Sequence, residues 1–595
     1  MRLSTEPDRD DVRGIELLHA AFDGGVTFLD TADAYCLNDD DTGHNERLIA
    51  RALASWSGDR SRIVVATKGG LTRPHGEWMP NGKARHLRAA CEASLRALGM
   101  ERIHLYQLHA PDSRTPLSTS VRALDALRNE GLIGRIGLCN VNVSQIEEAR
   151  RITDISAVQI ELSLWHDTSA LNGVIQHCIE RGIQLIAYRP LGGARQSRKL
   201  LSDPVLVEVA ALHNAAPSEI ALAWLRELSD AIVPIPGPTR LETLRSVVRA
   251  HDISLTDEDR ARLEAAFPSA RAARSMRRSI PGASKDAPLQ GGSTAPRNGE
   301  VVLIMGLPGA GKSTVARDFV AQGYARLNRD EAGGSLRDLL PDLEGLAASG
   351  VTRIVLDNTY VSRASRALVV QAAARLGLPV RCVWLSTGIE AAQVNAAWRM
   401  VSKYGRLLEP EEMRKAVKRD INSFAPGAQF RSQRELEPPD PSEGFSLIET
   451  MPFERTHDSA MRNKALIVWC DDVGLFVERA SVLRRYHDEG WTLLGLAWRP
   501  QIADKTMTRE QADASFARVR ELLAVPIDIL YCPHGGGPPV CWCRKPLPGL
   551  GVVFIQRYQL DPAQCLYVGA GPQDPGFARR LGFQYRDAAD FFTSS

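Results

Sequence analysis

Several features that would place this sequence in a special class of protein are missing from it. No run of about 18 consecutive apolar residues occurs, and the first residues form no apolar leader, so we expect neither a membrane span nor a secretory signal. The formal net charge is only +2, which argues against a basic nucleic-acid-binding surface spread over the whole chain. Any contact with a polyanion must therefore come from a local patch.

A disulfide framework is also missing. The ten cysteines stand mostly alone in the sequence, a distribution that predicts a reducing, cytoplasmic location. Only Cys532, Cys541 and Cys543 lie close together. The composition is that of a globular protein, with 44% hydrophobic and 24% charged residues. At 595 residues the chain is too long for one hydrophobic core, which predicts several domains.

The most specific motif is a phosphate-binding loop. Residues 306–314 read Gly-Leu-Pro-Gly-Ala-Gly-Lys-Ser-Thr and follow an apolar run, 301–305, that is typical of a buried strand. The glycines let backbone N–H groups point at phosphate oxygens, the lysine reaches the β- and γ-phosphates, and the serine ligates Mg²⁺. We expect a P-loop NTPase-type parallel sheet domain that binds ATP with Mg²⁺. The predicted contacts come from Gly306, Gly309, Gly311, Lys312, Ser313 and Thr314.

Acidic residues follow two further predicted strands of this region. Asp330 ends a short strand that begins near Tyr324, and Asp357 ends the strand 353–357. Next to a P-loop, one carboxylate can deprotonate an acceptor hydroxyl and another can support Mg²⁺. Arg399 lies on a predicted helix from which a lid arginine could reach the transferred phosphate. The pattern predicts a kinase and leaves its acceptor open.

The first 267 residues alternate between short apolar runs and helical patterns, which indicates parallel strands joined by helices. Seven strands are predicted, at 26–29, 63–66, 103–108, 133–138, 157–160, 183–187 and 231–235. Seven such strands suggest a (β/α)₈ TIM barrel that lacks one strand. In such a barrel the active site gathers at the carboxyl ends of the strands.

Polar residues stand at those strand ends. Asp30 and Tyr35 follow the first strand, Lys68 the second and His109 the third. Together they suit carbonyl reduction, with Tyr35 as the proton donor to the substrate oxygen when hydride arrives. Lys68, paired with Asp30, would lower the pKa of the tyrosine, and His109 would orient the carbonyl. Each residue taken alone could instead be a cap or a surface ion pair.

Residues 25–35 (Gly-Val-Thr-Phe-Leu-Asp-Thr-Ala-Asp-Ala-Tyr), 65–68 and 107–109 resemble the signatures of the aldo-keto reductase family. The resemblance covers about residues 1–267 and implies NADP(H) and a small carbonyl substrate. It places cofactor contacts at Asn140, Gln159, Tyr188, Thr239 and Arg240, with the arginine on the 2′-phosphate. Residues 1–4 resemble only the end of the first barrel strand, so we expect a clipped strand and a natural start upstream. A NADP(H)-binding sensor without turnover remains an alternative.

Residues 306–314, 327–330, 356–359, 393–399 and 441–446 together resemble the kinase module of polynucleotide 5′-kinase/3′-phosphatases. The resemblance implies that Asp330 is the general base for a 5′-hydroxyl of DNA or RNA, that Arg399 stabilises the transition state and that Asp357 supports the metal. Arg363 and Arg366 would share a helix face and could contact backbone phosphates, or be ordinary surface charges. A small-molecule kinase is the alternative.

A metal-binding pattern stands near the carboxyl end. Cys532-x-His534 and Cys541-x-Cys543 flank a Gly- and Pro-rich turn, 535–539. Three thiolates and an imidazole suit tetrahedral Zn²⁺, so we expect a structural zinc loop. Reduced, unmetallated thiols are the alternative. Apolar runs before and after this loop predict another α/β layer fold.

The region 463–595 resembles the zinc-containing phosphatases of the haloacid-dehalogenase-like superfamily, which have a Rossmann-like fold. Lys545 matches their phosphate-binding lysine, and Asp471 keeps the nucleophile position. The general-acid position holds Val473, and the metal-binding Gly-Asp motif reads Gly569-Ala570. We therefore expect a degenerate, inactive phosphatase domain.

These interpretations divide the chain into four parts. They are an aldo-keto reductase TIM barrel over 1–267, a flexible linker over 268–299, a P-loop polynucleotide kinase-like domain over 300–456, and the haloacid-dehalogenase-like domain over 463–595.

Overall fold

The chain divides into two compact units, residues 1–290 and 291–595. The computed structural model describes residues 1–267, 269–270, 272, 299–417, 420, 422–453, 455, 460–471, 480–537 and 539–593. Nearly all of the predicted flexible linker, 268–299, lies outside the described residues, as do Val473 and its neighbours 472–479. Within the described ranges, no helix combines the length and the apolar character that a membrane crossing requires.

The first unit is built from strands and helices that alternate along the chain. Its described strands are β1 (Phe28–Asp30), β2 (Val64–Gly69), β3 (Leu71–Thr72), β4 (Met79–Pro80), β5 (Ile103–Leu108), β6 (Ile133–Cys139), β7 (Ala157–Glu161), β8 (Gln184–Tyr188) and β9 (Ile232–Pro234). Its described helices are α1 (Arg2–Thr5), α2 (Asp11–Asp23), α3 (His44–Ser55), α4 (Ala84–Leu98), α5 (Leu117–Asn129), α6 (Val143–Arg150), α7 (Thr168–Leu171), α8 (Val174–Arg181), α9 (Gly193–Leu200), α10 (Pro204–Leu212), α11 (Pro217–Glu227), α12 (Leu241–Arg249) and α13 (Asp257–Ala266).

One parallel sheet with the order β1-β2-β5-β6-β7-β8-β9 organises this unit. The seven predicted strands are confirmed to within about three residues at each end, because each is an apolar run bounded by polar or turn residues. β5 is almost wholly buried, as expected of a strand covered by side chains on both faces. Within the described residues β1 and β9 are the two edges of the sheet. The expectation that residues 1–4 are the end of a clipped first strand is wrong, because Arg2–Thr5 form helix α1 and pair with no strand of the described sheets.

The second unit contains two further parallel sheets. Its described strands are β10 (Glu300–Met305), β11 (Ala325–Leu327), β12 (Arg353–Asp357), β13 (Val380–Leu385), β14 (Leu447–Met451), β15 (Ala465–Trp469), β16 (Thr492–Trp498), β17 (Asp528–Cys532), β18 (Leu566–Gly569) and β19 (Gln584–Asp587). Its described helices are α14 (Lys312–Ala321), α15 (Arg329–Ala332), α16 (Leu339–Ala348), α17 (Arg363–Arg375), α18 (Ile389–Tyr404), α19 (Pro410–Ala416), α20 (Pro426–Glu435), α21 (Ala480–Asp488), α22 (Arg509–Leu523), α23 (Gly549–Tyr558), α24 (Asp574–Leu581) and α25 (Ala588–Thr593).

The two sheets have related topologies. Their orders are β11-β12-β10-β13-β14 and β17-β16-β15-β18-β19, and every pair is parallel. In each sheet the first strand lies in the middle, so the loop that follows it opens at a topological switch point, where α/β sheets bind ligands. The edge strands β14 and β19 were not predicted. β19 reads Gln-Tyr-Arg-Asp and has no apolar pattern, and β14 reads Leu-Ile-Glu-Thr-Met, without the alternation or the continuous apolar run of a buried strand.

Candidate active sites

The carboxyl ends of β1, β2 and β5 bring four polar side chains together. The Nζ atom of Lys68 donates to Oδ2 of Asp30 at 2.5 Å and to the hydroxyl of Tyr35 at 3.0 Å. The ring of His109 lies 5.6 Å from that of Tyr35, centroid to centroid. The lysine side chain is completely buried and that of Asp30 is only 6% exposed, so this ion pair is shielded from water. The four residues predicted from strand ends therefore share one site.

Burial controls the ionisation of this cluster. Burial opposes the charge on Lys68, but Asp30 and Tyr35 outweigh it and the pKa of the lysine is raised. Burial raises the pKa of Tyr35 to about 12, against the opposite effect of Lys68. Lys68 therefore lowers the pKa of Tyr35 as expected, but burial has the larger effect and the net shift is upward. Burial and the nearby Lys68 hold the pKa of His109 well below its ordinary value, which leaves a protonated phenol beside a neutral imidazole.

A tryptophan that the sequence reasoning missed lies at the rim of this site. The ring of Trp78 is 6.3 Å from Tyr35 and 6.1 Å from His109, and the guanidinium of Arg73 stacks on it at 4.0 Å. Trp78 stands in the loop between β3 and β4 and remains 44% exposed. A half-exposed aromatic next to buried polar groups suits an apolar substrate surface.

Two of the five predicted cofactor residues, Gln159 and Asn140, bond directly to the cluster, and a third, Tyr188, bonds to Asn140. Nε2 of Gln159 donates to Oδ1 of Asp30 at 2.8 Å. Nδ2 of Asn140 donates to the carbonyl of His109 at 3.2 Å, and the hydroxyl of Tyr188 donates to Oδ1 of Asn140 at 2.8 Å. The side chains of Gln159, Asn140 and Tyr188 therefore extend the polar site from β5 across β6, β7 and β8.

The remaining two residues lie in the loop after β9. Thr239 and Arg240 directly precede α12, and Arg240 is its N-terminal flanking residue with an exposed side chain. A helix N-terminus favours negative charge, and a guanidinium adds a bidentate donor. The position suits a phosphate group, and the structure shows no contact from these two residues to the Lys68 cluster.

The loop between β10 and α14 adopts a backbone conformation that requires glycine at two positions. Gly309 and Gly311 have φ angles of 86° and 99°, in the left-handed region that favours glycine. A Cβ atom on Gly309 would also come within 2.5 Å of the carbonyl oxygen of Ala392. Nζ of Lys312 donates to the carbonyls of Gly306 and Leu307 at 3.1 and 2.9 Å. Side chains larger than hydrogen would therefore disrupt this loop.

Several charged residues converge on this lysine. Burial lowers the pKa of Lys312 to about 8, and the positive charges of Arg399 and Arg329 also lower it. The negative charges of Asp357 and Asp330 raise it, but by less. Asp357 is buried, and its Oδ2 atom accepts from Nη2 of Arg326 at 2.6 Å. Asp330 is 34% exposed. The structure thus places a buried and an accessible carboxylate beside the loop.

Arg399 and two amide side chains complete this site. Arg399 lies on α18 and donates to Oδ1 of Asn422. On the same helix, Nδ2 of Asn395 donates to the carbonyl of Gly309 at 2.9 Å. Nε2 of Gln429 donates to the carbonyl of Pro308 at 2.6 Å. α18 is therefore tied to the loop through Asn395, while Gln429 holds the loop from α20.

Arg366 does not have the surface role that was considered for it. Its side chain is completely buried and forms a bidentate pair with Glu443, with distances of 2.8 and 2.7 Å. A third nitrogen, Nη1, donates to the carbonyls of Tyr360, Val361 and Glu437. These contacts join the segment after β12 to the segment before β14, so Arg366 is not available to a nucleic acid. The spacing of residues on a helix cannot show that the shared face is buried.

The switch point of the last sheet holds two ion pairs. Nζ of Lys545 donates to Oδ1 of Asp574 at 2.6 Å and to the hydroxyl of Tyr567 at 2.9 Å. Oδ1 of Asp471 accepts from Nη1 of Arg499 at 3.1 Å and from the backbone N–H of Trp498 at 2.6 Å. Burial raises the pKa of Asp471 and lowers that of Lys545 to about 8, against Asp574. The predicted nucleophile, Asp471, is thus ion-paired with Arg499, a contact that was not predicted.

The four predicted metal ligands lie together. Their potential donor atoms, in Cys532, His534, Cys541 and Cys543, are all within 4.8 Å of one another. The Sγ–Sγ distances from Cys532 are 3.8 Å to Cys541 and 3.3 Å to Cys543. Nδ1 of His534 is 3.6 Å from the Cys532 sulfur and 3.2 Å from that of Cys543. Ligands about 2.0–2.3 Å from a tetrahedral ion are separated by roughly 3.5 Å, so this donor set fits Zn²⁺.

Comparisons with known proteins identify the first unit. The model of the aldo/keto reductase family matches residues 2–267. Probable aldo-keto reductase 1 from Glycine max is 32% identical over 282 residues, which are 43% of this chain and 79% of that protein. The chain belongs to the aldo/keto reductase family. The Lys68 cluster is therefore the candidate active site of a reductase barrel.

Solved structures of aldo-keto reductases are also similar. A thermostable aldo-keto reductase in complex with epalrestat is 29% identical and covers 44% of this chain and 89% of its own, with a TM-score of 0.39. An aldo-keto reductase from Klebsiella pneumoniae in complex with NADPH is 24% identical and covers 43% and 86%, with a TM-score of 0.37. In the second unit, the model described as AAA domain matches residues 301–419, the part that contains the P-loop.

Proposed function

We propose that the reductase barrel reduces small aldehydes or ketones with NADP(H). The observation that supports this most strongly is the position of Lys68 between Asp30 and Tyr35, with Nζ bonded to both. Lys68 aligns the Tyr35 hydroxyl, which remains protonated at neutral pH and so can donate its proton to a carbonyl oxygen. The neutral His109 ring beside it can orient that oxygen.

The cofactor would lie along the amide side of this site. Asn140 donates to the backbone carbonyl of His109 and accepts from the hydroxyl of Tyr188, so the two side chains form a polar edge that can hold a nicotinamide carboxamide. Thr239 and Arg240 at the start of α12 suit the 2′-phosphate. When bound, NADPH would supply the hydride. Consumption of NADPH with 4-nitrobenzaldehyde tests this proposal, and NADPH binding without turnover would favour the sensor alternative.

In the second unit, we propose that the P-loop site transfers phosphate from ATP to the 5′-hydroxyl of a nucleic-acid end, in DNA or RNA. Lys312 and the N-terminus of α14 would hold the phosphates, with Ser313 and Thr314 in its first turn. The hydrogen bonds that Arg326 and Asn328 donate to the Asp357 carboxylate, at 2.6 and 3.1 Å, both go to Oδ2 rather than Oδ1. Asp357 could therefore support Mg²⁺ from its second oxygen.

The acceptor hydroxyl would bind next to Asp330, the accessible carboxylate beside the P-loop. Asp330 stands at the start of α15, and the amide oxygen of Asn328 holds its backbone N–H at 2.7 Å. Because the Asp330 side chain is 34% exposed, it can reach the terminal hydroxyl of a substrate too long to be enclosed. Its role would be general base, while Arg399 would stabilise the transferred phosphoryl group. A small-molecule kinase would use the same groups on an enclosed acceptor.

We further propose that residues 463–595 form a haloacid-dehalogenase-like domain that binds structural Zn²⁺ and does not hydrolyse phosphate esters. The metal would be held by Cys532, His534, Cys541 and Cys543, which fit a closed tetrahedral site. The two pairs Asp471–Arg499 and Lys545–Asp574 neutralise the groups that would otherwise attack and bind a phosphate. With the kinase this would make an enzyme of 5′-end healing.

The full chain is accordingly expected to release no phosphate from an oligonucleotide that carries a 3′-phosphate. The reason is that Arg499 neutralises Asp471 and no acid stands at position 473, so neither attack nor protonation of the leaving group is supported. Phosphate release is measured with Mg²⁺ present, and Asp471→Asn serves as the control for contaminating activity. Hydrolysis that the wild type shows and Asp471→Asn lacks would contradict the inactive assignment.

A further inference from the structure

The helix that carries Arg399 is packed against the last domain. One hydrophobic cluster contains side chains of α18, among them Val394, Met400 and Val401, together with Trp542 and Phe554 of the C-terminal part. Polar contacts reinforce this packing. Nε2 of Gln556 donates to the carbonyl of Trp398 at 3.2 Å and to Oγ of Ser402 at 3.0 Å, and Arg580 donates to Oε1 of Gln393 at 3.1 Å. The P-loop site therefore depends on the C-terminal part for the position of α18.

One connection leads directly to the Cys₃His cluster. Nδ1 of His534 faces the sulfur atoms, while its Nε2 atom lies 2.7 Å from Oε2 of Glu409. The other oxygen of Glu409 accepts from Nη2 of Arg509 at 3.2 Å. Glu409 flanks the N-terminus of α19, which belongs to the part of the chain that follows α18. A carboxylate on the second nitrogen of a metal-binding histidine fixes the ring and raises its basicity.

A second connection leads from the cluster to Arg399. Trp542 stands between two of the cysteines, is 1% exposed, and donates from Nε1 to the carbonyl of Phe424 at 2.9 Å. Phe424 also packs against the Trp542 ring, with centroids 6.1 Å apart. Asn422, two residues before Phe424, accepts the hydrogen bond of Arg399. A continuous series of contacts thus joins the cluster to the arginine.

We propose that the Cys₃His metal centre positions the phosphoryl-transfer site, with Glu409 and Trp542 as positioning residues for Arg399. Zn²⁺ bound by the four ligands would hold His534 against Glu409 and Trp542 against Phe424, and so keep Asn422 in place under Arg399. This proposal rests on the proposed kinase function for the role of Arg399. The proposed role of the phosphatase-like domain is then to hold α18, the helix that carries Arg399.

The first test measures zinc itself in the full-length chain. Glu409→Gln should weaken Zn²⁺ binding by about 10- to 100-fold in competition with a chelator, because the histidine loses its charged partner. Glu411→Gln is the matched control, since Glu411 lies on the same helix with a 79% exposed side chain and, among the described residues, is ion-paired with Arg414 rather than with a metal ligand. Equal zinc affinity of Glu409→Gln and wild type would overturn the role of Glu409.

The second test uses Trp542→Phe at saturating Zn²⁺, which removes the hydrogen bond to the Phe424 carbonyl and keeps a smaller aromatic ring at this position. We expect kcat for phosphoryl transfer to fall about tenfold, as for the loss of one hydrogen bond, with zinc content and KM for ATP unchanged. The melting temperature should fall, because the smaller ring fills the buried site less well, and the assay is run well below it. Reductase activity of the same preparation is an internal control. An unchanged kcat would contradict the proposal, because a merely structural metal would not require this bond.

A third measurement separates this proposal from the kinase assignment. Hydrogen exchange of the α18 amides is compared in the zinc-loaded and the chelator-treated full chain. Faster exchange in α18 after zinc removal, with unchanged exchange in β2 and β5 of the barrel, supports the coupling even if wild type phosphorylates no acceptor. Unchanged exchange in α18 would overturn the coupling even if the kinase activity is found.

Discussion

Tyr35→Phe should lower NADPH-dependent reduction of 4-nitrobenzaldehyde by about 10²- to 10⁴-fold, the usual contribution of a positioned general acid. The phenylalanine ring keeps the packing against His109 and Trp78 but carries no proton for the carbonyl oxygen. Lys68 cannot replace it, because Asp30 and Tyr35 raise its pKa against the effect of burial and its proton is held in the ion pair. The binding of NADPH, followed by fluorescence, should be unchanged.

Tyr106→Phe is the matched control for this experiment. Tyr106 is also completely buried in the barrel, but its hydroxyl has no hydrogen-bond partner among the described residues. Its removal should therefore leave kcat close to the wild-type value. If Tyr35→Phe keeps wild-type activity while Tyr106→Phe does the same, the assignment of Tyr35 as proton donor is wrong.

Arg399→Ala should lower phosphoryl transfer by about 10³-fold or more, with little change in the binding of ATP. An arginine that closes on the transferred phosphoryl group stabilises charge that develops only in the transition state, and such residues contribute about 10³–10⁵ in rate. Arg399→Lys should recover only part of this, because an ammonium lacks the planar fork of the guanidinium. Single-turnover rates and ATP binding are measured separately on the full chain.

Arg414→Ala is the control for Arg399. It removes a guanidinium from the same unit, but Arg414 is 74% exposed and, within the described residues, is ion-paired with Glu411, so the transfer rate of Arg414→Ala should match the wild type. An Arg399→Ala rate within a few-fold of the Arg414→Ala rate would exclude a transition-state role. In that case α18 would serve only to support the loop through Asn395.

Features that depend on a few neighbouring residues in the chain could be predicted from the sequence. The P-loop glycines and the strand ends at Asp30 and Lys68 follow from short motifs, and the structure has them in the expected places. Cys532 and Cys541 were grouped on spacing alone, and they lie together in the structure, with only eight residues between them in the sequence. Such predictions succeed because few residues separate the partners.

Features that depend on burial or on distant partners were missed. The buried pair of Arg366 with Glu443 joins residues 77 positions apart, and the contact of Glu409 with His534 joins residues 125 apart. Arg499 reaches Asp471 only because β15 and β16 are neighbours in the sheet. A single charged residue has no sequence signal that separates a solvated side chain from a buried one, so these contacts require the fold.

The central claim is that the P-loop site phosphorylates nucleic-acid ends. The most direct measurement offers radiolabelled ATP and Mg²⁺ to the full chain with 5′-hydroxyl oligonucleotides of DNA and RNA and a panel of sugars and nucleosides, with Lys312→Ala in parallel. We predict that label enters an oligonucleotide 5′ end, that the nucleosides and sugars stay unlabelled, and that Lys312→Ala, which lacks the lysine under the phosphates, abolishes transfer. Label in a sugar or nucleoside and none in either oligonucleotide would contradict the account.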